Sequence, residues 1–379
     1  MEKETILIVS QPEITDKVGG AISMFFFLAN WLSDCGYQVV AVCNSAVERR
    51  PPALKEDIDF CNLYSIDHST NGFSPKFKRL IREKNASCII FFFHYIYIDA
   101  DLGHEFDDIP RILTFHSRPD FYFEFIPRSE RKLRSLYRNT TAQILFDSYR
   151  PLLPKFIRKG PVCTIPNPVP TVSYRCNPEK STRRTVFLSR IDNCKGMELL
   201  IPAFSTALQT CPNWHLDIWG EFQSEELQER YWDLVKSCGA EEYIHFCGVT
   251  DNPTKTLSEY DFCIFPSRFE GFSVGLAESL AVGLPCIGLR DCSGVNEMIR
   301  DGGNGLLCSS TVNDLAAAIV RLMSDENLRR EMSREAAKFQ GRYDASHIKW
   351  LWKILVDDCI HPSKPEKLLP VKDLVRIAH

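Results

Sequence analysis

Residues 260–289 read YDFCIFPSRFEGFSVGLAESLAVGLPCIGL, and this stretch decides the architecture. Residues 261–265 are nearly all apolar, the pattern of a parallel-sheet strand covered on both faces, and Pro266 ends the run. A loop holding Glu270 and Gly271 follows. Ser273 then stands where a helix N-cap is expected, with Val274, Leu276, Ala277, Leu280 and Ala281 as the buried side. Gly283 and Pro285 stop that helix, and residues 286–289 form the next strand. Strand, loop, helix, strand places the loop at the carboxyl end of a parallel sheet, where open α/β folds bind ligands.

A helix N-terminus offers free backbone N–H groups and about half a positive charge, which suits a phosphate. Helical side chains lean back toward that end, so Glu278 can reach the mouth of the site, where a carboxylate suits the vicinal hydroxyls of a ribose. Glu270, in the loop, is placed for the other end of the same ligand. The plainer reading is an acidic residue favoured by the helix dipole plus a surface glutamate. On these two residues alone both readings stand.

The string E-G-F-S-V-G-L-A-E-S-L-A-V-G-L-P resembles the E-x7-E signature of retaining glycosyltransferases of the GT-B fold, specifically the large group called family 4. Ser273 and Ser279 stand where Gly and Ala are more usual, and both are small. The resemblance implies two Rossmann-like parallel-sheet domains facing each other across a cleft, with a C-terminal helix crossing back to the first. It also implies a nucleotide-diphosphate sugar held mainly by the second domain, with Phe272, Ser273 and Glu278 binding the donor and Glu270 holding the sugar hydroxyls.

A chain of 379 residues is long for one core and suggests two domains. Its 44% hydrophobic and 25% charged residues are ordinary globular values. A net charge of −4 argues against a nucleic-acid partner. The fifteen cysteines are scattered singly without a C-x2-C, as expected of reduced, buried thiols in a cytosolic protein. No run approaches a membrane span of about 20 apolar residues, and the first residues become a strand too early for a secretory leader.

Residues 5–10 read as the first strand and 21–36 as the helix after it. Gly19 and Gly20 at that junction allow close backbone approach, and the resemblance assigns them to the donor diphosphate; a loop-closing glycine pair is the alternative. Strands follow at 38–43, 87–93, 111–115 and 143–147. His116 ends the fourth of these five, at the ligand-binding edge, and T-F-H-S resembles the family's T-x-H motif, whose histidine lies beside the transferred sugar. Two basic stretches, 76–84 and 128–138, carry apolar residues at helical spacing. They suit an anionic membrane surface or, equally, solvated outer helices.

I-P-N-P-V at 165–169 resembles the family's crossing between domains, with Pro168 in place of Gly, and 171–184 reads as a polar linker. A strand at 185–189 leads into Arg190 and Lys195-Gly196. Two cations on a strand-to-helix loop can clamp a diphosphate, and S-R-I-D-N-C-K-G resembles the family's G-R-L-x-x-x-K-G. Strands at 214–220 and 244–249 follow, the latter ending at Val249, where the family reads the nucleotide base. The expected domains are 1–168 and 169–342, a crossing-back helix at 343–360 in which Trp350 and Trp352 seal the interdomain contact, and a tail at 361–379.

The expected activity is metal-independent, retaining transfer from a nucleotide-diphosphate sugar. UDP-sugar is favoured and GDP-mannose second, and the acceptor is a glycan or lipid-linked glycan of cell-surface polysaccharide synthesis. His116 and Glu270 are the catalytic candidates, no cofactor or metal is expected, and the location is cytoplasmic, peripheral on the membrane's inner face. The competing readings are a glycoside hydrolase or phosphorylase using Glu270 and Glu278, a metal-dependent transferase using Asp57-Ile58-Asp59 or Asp99-Ala100-Asp101, and a non-catalytic sugar-nucleotide-binding protein.

Overall fold

The computed structural model describes residues 3–10, 20–44, 49–63, 70–92, 94–124, 137–169 and 171–362. They form two compact units, Met1–Asn167 with Ser346–His379, and Pro168–Ala345.

In the first unit the strands covered on both faces are continuous apolar runs with no polar side to show, and seven strands pair as a parallel sheet. These are β1 (Thr5–Val9), β2 (Gln38–Cys43), β3 (Asp59–Asn62), β4 (Cys88–Phe91), β5 (Arg111–Phe115), β6 (Thr140–Ile144) and β7 (Val162–Thr164). Their order is β3-β2-β1-β4-β5-β6-β7, so the winding reverses between β1 and β4. β6 begins three residues before the expected 143, because the β-branched pair Thr140-Thr141 joins the ladder opposite Arg111 and Ile112.

The last helix, Ala345–Ile360, belongs to this unit's core. Ile348, Leu351, Trp352, Leu355 and Val356 pack with Phe25, Leu28, Leu32 and Ile90. The two tryptophans part company here. Trp352 is 1% exposed, whereas Trp350 is 47% exposed and stacks on His347, since positions two apart point to nearly opposite sides of a helix. Trp352 is therefore part of this unit's own core, whereas Trp350 lies on the helix's outer side.

The amphipathic helix Thr70–Glu83 carries the first basic stretch. Its apolar stripe, Phe73, Phe77, Leu80 and Ile81, is buried, with Phe77 against Phe91 of β4. The cations point outward to local partners: Lys78 to Glu105 (3.6 Å), Arg79 to Glu83 (3.5 Å), Lys84 to Asp59 (2.7 Å), and Arg82 over the Phe106 ring (5.1 Å). The stripe is thus covered within the unit, as in a solvated outer helix of the sheet. Most of the second basic stretch, 128–136, lies outside the described residues, as do Gly19 and the tail from 363.

The second unit holds β8 (Arg184–Leu188), β9 (His215–Trp219), β10 (Ile244–Gly248), β11 (Phe262–Phe265), β12 (Cys286–Leu289) and β13 (Gly305–Cys308). The sheet is parallel, in the order β10-β9-β8-β11-β12-β13, and reverses between β8 and β11. The expected linker 171–184 is part of this unit. Cys176 N–H donates to the Val282 carbonyl (3.1 Å) and Arg175 to that of Ala281, capping acceptors that a helix end leaves open, while Thr182 Oγ1 donates to Asp261 (2.6 Å). All fifteen thiols are unbridged; seven are buried, and Cys194 is exposed against the expectation of uniformly buried sulfur.

Candidate active site at the ends of β8 and β11

β8 and β11 are neighbours at the point where the second sheet reverses direction, the place where an open α/β sheet leaves a crevice. The loop after β8 carries Arg190, Asp192 and Lys195, and the loop after β11 carries Glu270. They meet in one contact: Lys195 Nζ lies 2.6 Å from Glu270 Oε1, with side chains 13% and 9% exposed. Arg190 is held by Asp192 instead, its Nε and Nη2 at 3.3 and 3.2 Å from Oδ2. The two expected clamp cations are therefore each anchored on a carboxylate.

Close backbone approach makes the contact possible. Gly196 has φ +72°, and a Cβ there would meet the Pro266 carbonyl oxygen at 2.1 Å. Arg268 N–H donates to the Cys194 carbonyl (2.9 Å), and its guanidinium reaches Glu198 (2.8 Å). Gly294 admits the Glu270 backbone, whose oxygen lies 2.5 Å from where a Cβ would stand. These packings explain the glycine after Lys195 and fix Glu270 from both sides.

The helix Val274–Val282 starts at Ser273, which takes the N-cap position with its side chain unbonded to the first turn. That corrects the expected side-chain cap. Ser279 bonds back to the Gly275 carbonyl (2.8 Å), which satisfies a hydroxyl where alanine is usual. Phe272 is buried edge-on against Tyr343 (5.7 Å). Glu278, on the same helix, is largely buried, and desolvation raises its carboxyl from the usual 4.5 to about 7. Val249, just after β10, is 70% exposed.

In the first unit Gly20 opens the helix Gly20–Asp34. His116 follows β5, stacks on Phe92 (4.9 Å), and places Nε2 2.8 Å from Thr114 Oγ1. Burial lowers its pKa to about 3, so the imidazole is neutral near pH 7. The alternative metal pair Asp57 and Asp59 is engaged by Ser33 and Lys84. Among the described residues no group of three or more His, Cys, Asp or Glu side chains is placed to hold a metal ion. Sequence reasoning missed Asp192, Glu198 and Arg268; the R-x-D spacing was the available signal for Asp192.

Residues 182–325 match the family model of glycosyl transferases group 1, which identifies this part of the second unit as a module of that family. Among solved structures, an Anabaena protein in complex with UDP and glucose superimposes with a TM-score of 0.74 at 17% identity, covering 94% of this chain and all (100%) of that one. The fold is therefore that of GT-B glycosyltransferases. An O-antigen biosynthesis glycosyltransferase of Escherichia coli is 26% identical over 304 residues, 79% of this chain and 82% of that protein. An exopolysaccharide phosphotransferase of Streptomyces coelicolor is 29% identical over 221 residues, 58% of this chain but only 23% of that longer protein.

Proposed function

We propose that the protein transfers a sugar, with retention and without a metal, from a nucleotide-diphosphate donor to a glycan or lipid-linked glycan in cell-surface polysaccharide synthesis. The observation that carries this reading is the meeting of Lys195 with Glu270 at the reversal point of the second sheet. A cation for the diphosphate and a carboxylate for the sugar hydroxyls thereby stand at one place. Arg190 and the helix N-terminus at Ser273 add positive potential where leaving-group charge grows. Glu278 serves the ribose, Phe272 and Ser273 line the donor, Val249 lies by the base, Gly19 and Gly20 approach the diphosphate, and His116 lies beside the sugar. UDP-sugar is the first donor to test and GDP-mannose the second; names of similar proteins that mention UDP and O-antigen synthesis support this order.

Thermal denaturation with UDP, GDP and their sugars, followed by transfer assays in EDTA, tests the reading. A donor at a hundredfold excess over Kd is expected to raise stability by about 2.7 kcal/mol. Stabilisation by none of them would defeat the donor site, stabilisation without transfer would favour a non-catalytic sugar-nucleotide-binding protein, and sugar release from a glycan without a nucleotide would favour a hydrolase.

The cytoplasmic membrane face is the proposed place of work. The outward cations of the helix Thr70–Glu83 already have local partners, so attraction to anionic lipid is expected to be weak and screened. Co-sedimentation with anionic vesicles at low salt, and none at high salt or with neutral vesicles, is the expected result. Attachment that survives high salt would mean that an apolar segment inserts.

A further inference from the structure

Asp192 does more than turn the loop after β8. It is 8% exposed, and each of its acceptors is used. Oδ2 receives Arg190 Nε and Nη2 (3.3 and 3.2 Å), Oδ1 receives the Cys194 amide (2.9 Å), and its backbone carbonyl receives the Lys195 amide (3.2 Å). The residue before it fixes the position of this carboxylate. Ile191 is fully buried, donates its N–H to the Glu221 carbonyl (2.9 Å), and accepts from Gln223 N–H (2.9 Å). The carboxylate is therefore a fixed point, while the Arg190 side chain it holds is 66% exposed.

An exposed arginine samples many rotamers, and ordering it on ligand binding costs free energy. A carboxylate lying side-on to Nε and Nη2 fixes the guanidinium plane and leaves the Nη1 edge free for a phosphate oxygen. We propose that Asp192 is a positioning residue, which pre-organises Arg190 for the donor diphosphate while its second oxygen shapes the turn that delivers Lys195. The inference rests on the donor site assigned above. It goes beyond that assignment because Asp192 acts through Arg190 without touching the ligand.

The test is a double-mutant cycle on UDP and GDP binding, measured by calorimetry on the full chain: wild type, Asp192→Asn, Arg190→Ala and the double variant. Asparagine can keep an acceptor for the Cys194 amide while losing the charge that holds Arg190, and Asp192→Ser serves the same purpose if the first variant does not fold. Asp192→Asn is expected to weaken the better nucleotide roughly tenfold in the wild-type background, the scale of one charge-assisted hydrogen bond. In the Arg190→Ala background the further loss is expected to stay under about twofold, because the group it positions is gone. Equal losses in both backgrounds would overturn the positioning role while leaving the donor site standing. A wild-type protein that binds neither nucleotide would overturn the donor site, and this inference with it.

Discussion

Glu270→Gln is expected to destabilise the second unit by about 3 kcal/mol and to lower transfer by about a hundredfold or more. Lys195 and Glu270 are both shielded from water at 2.6 Å, so removing one charge strands the other in a site that cannot solvate it. The same holds for Lys195→Met. The double variant Lys195→Met, Glu270→Leu is expected to regain most of the lost stability, since apolar groups of similar size need no compensation. It is not expected to regain activity, because the contacts proposed for the diphosphate and the sugar in the transition state would both be lost. Urea denaturation of the three variants and initial rates with excess donor separate the two effects. Single variants within about 0.5 kcal/mol of wild type would show the pair to be a loose surface contact, and the assignment of the crevice would lose its main support.

That pair shows where the sequence stops being readable. Both residues were visible as members of separate local patterns, but they are 75 positions apart, and no local pattern states which cation faces which carboxylate. Strands such as β1, β2, β4 and β12 were legible because a run buried on both faces must be apolar throughout. β3, with partly exposed Asp59, Phe60, Cys61 and Asn62 at the sheet's edge, offers no such run and went unread.

The stripe on Thr70–Glu83 was legible as a stripe, but helical spacing tells only that one face is apolar and not whether protein or lipid covers it. The glycine after Lys195 could be read only as part of a motif. Its physical reason is the Pro266 carbonyl, which comes from a loop 70 positions away and appears only once the two loops are packed.

Glu278→Gln is expected to make the protein more stable above neutral pH and a poorer binder of nucleotides. Desolvation raises the Glu278 carboxyl from 4.5 to about 7. Between those values the folded state holds a proton that the unfolded chain has released, so the wild type loses stability as pH rises through this window. With the unfolded carboxyl near 4.5 the loss reaches about 3 kcal/mol at pH 8. Below about pH 4.5 the group is protonated in both states and the penalty is absent.

Glutamine has no proton to lose, so the variant should match wild type near pH 4.5 and exceed it by up to about 3 kcal/mol at pH 8. The charge that costs stability there is the one proposed to accept the ribose hydroxyls. Its loss is expected to weaken UDP or GDP by about 1 to 3 kcal/mol, with no comparable change for inorganic pyrophosphate, which has no ribose. Urea denaturation at both pH values and calorimetry with nucleotide and pyrophosphate give the four readouts. An unchanged pH slope in the variant would place the titration elsewhere, and equal weakening of nucleotide and pyrophosphate would move Glu278 from the ribose to the phosphates.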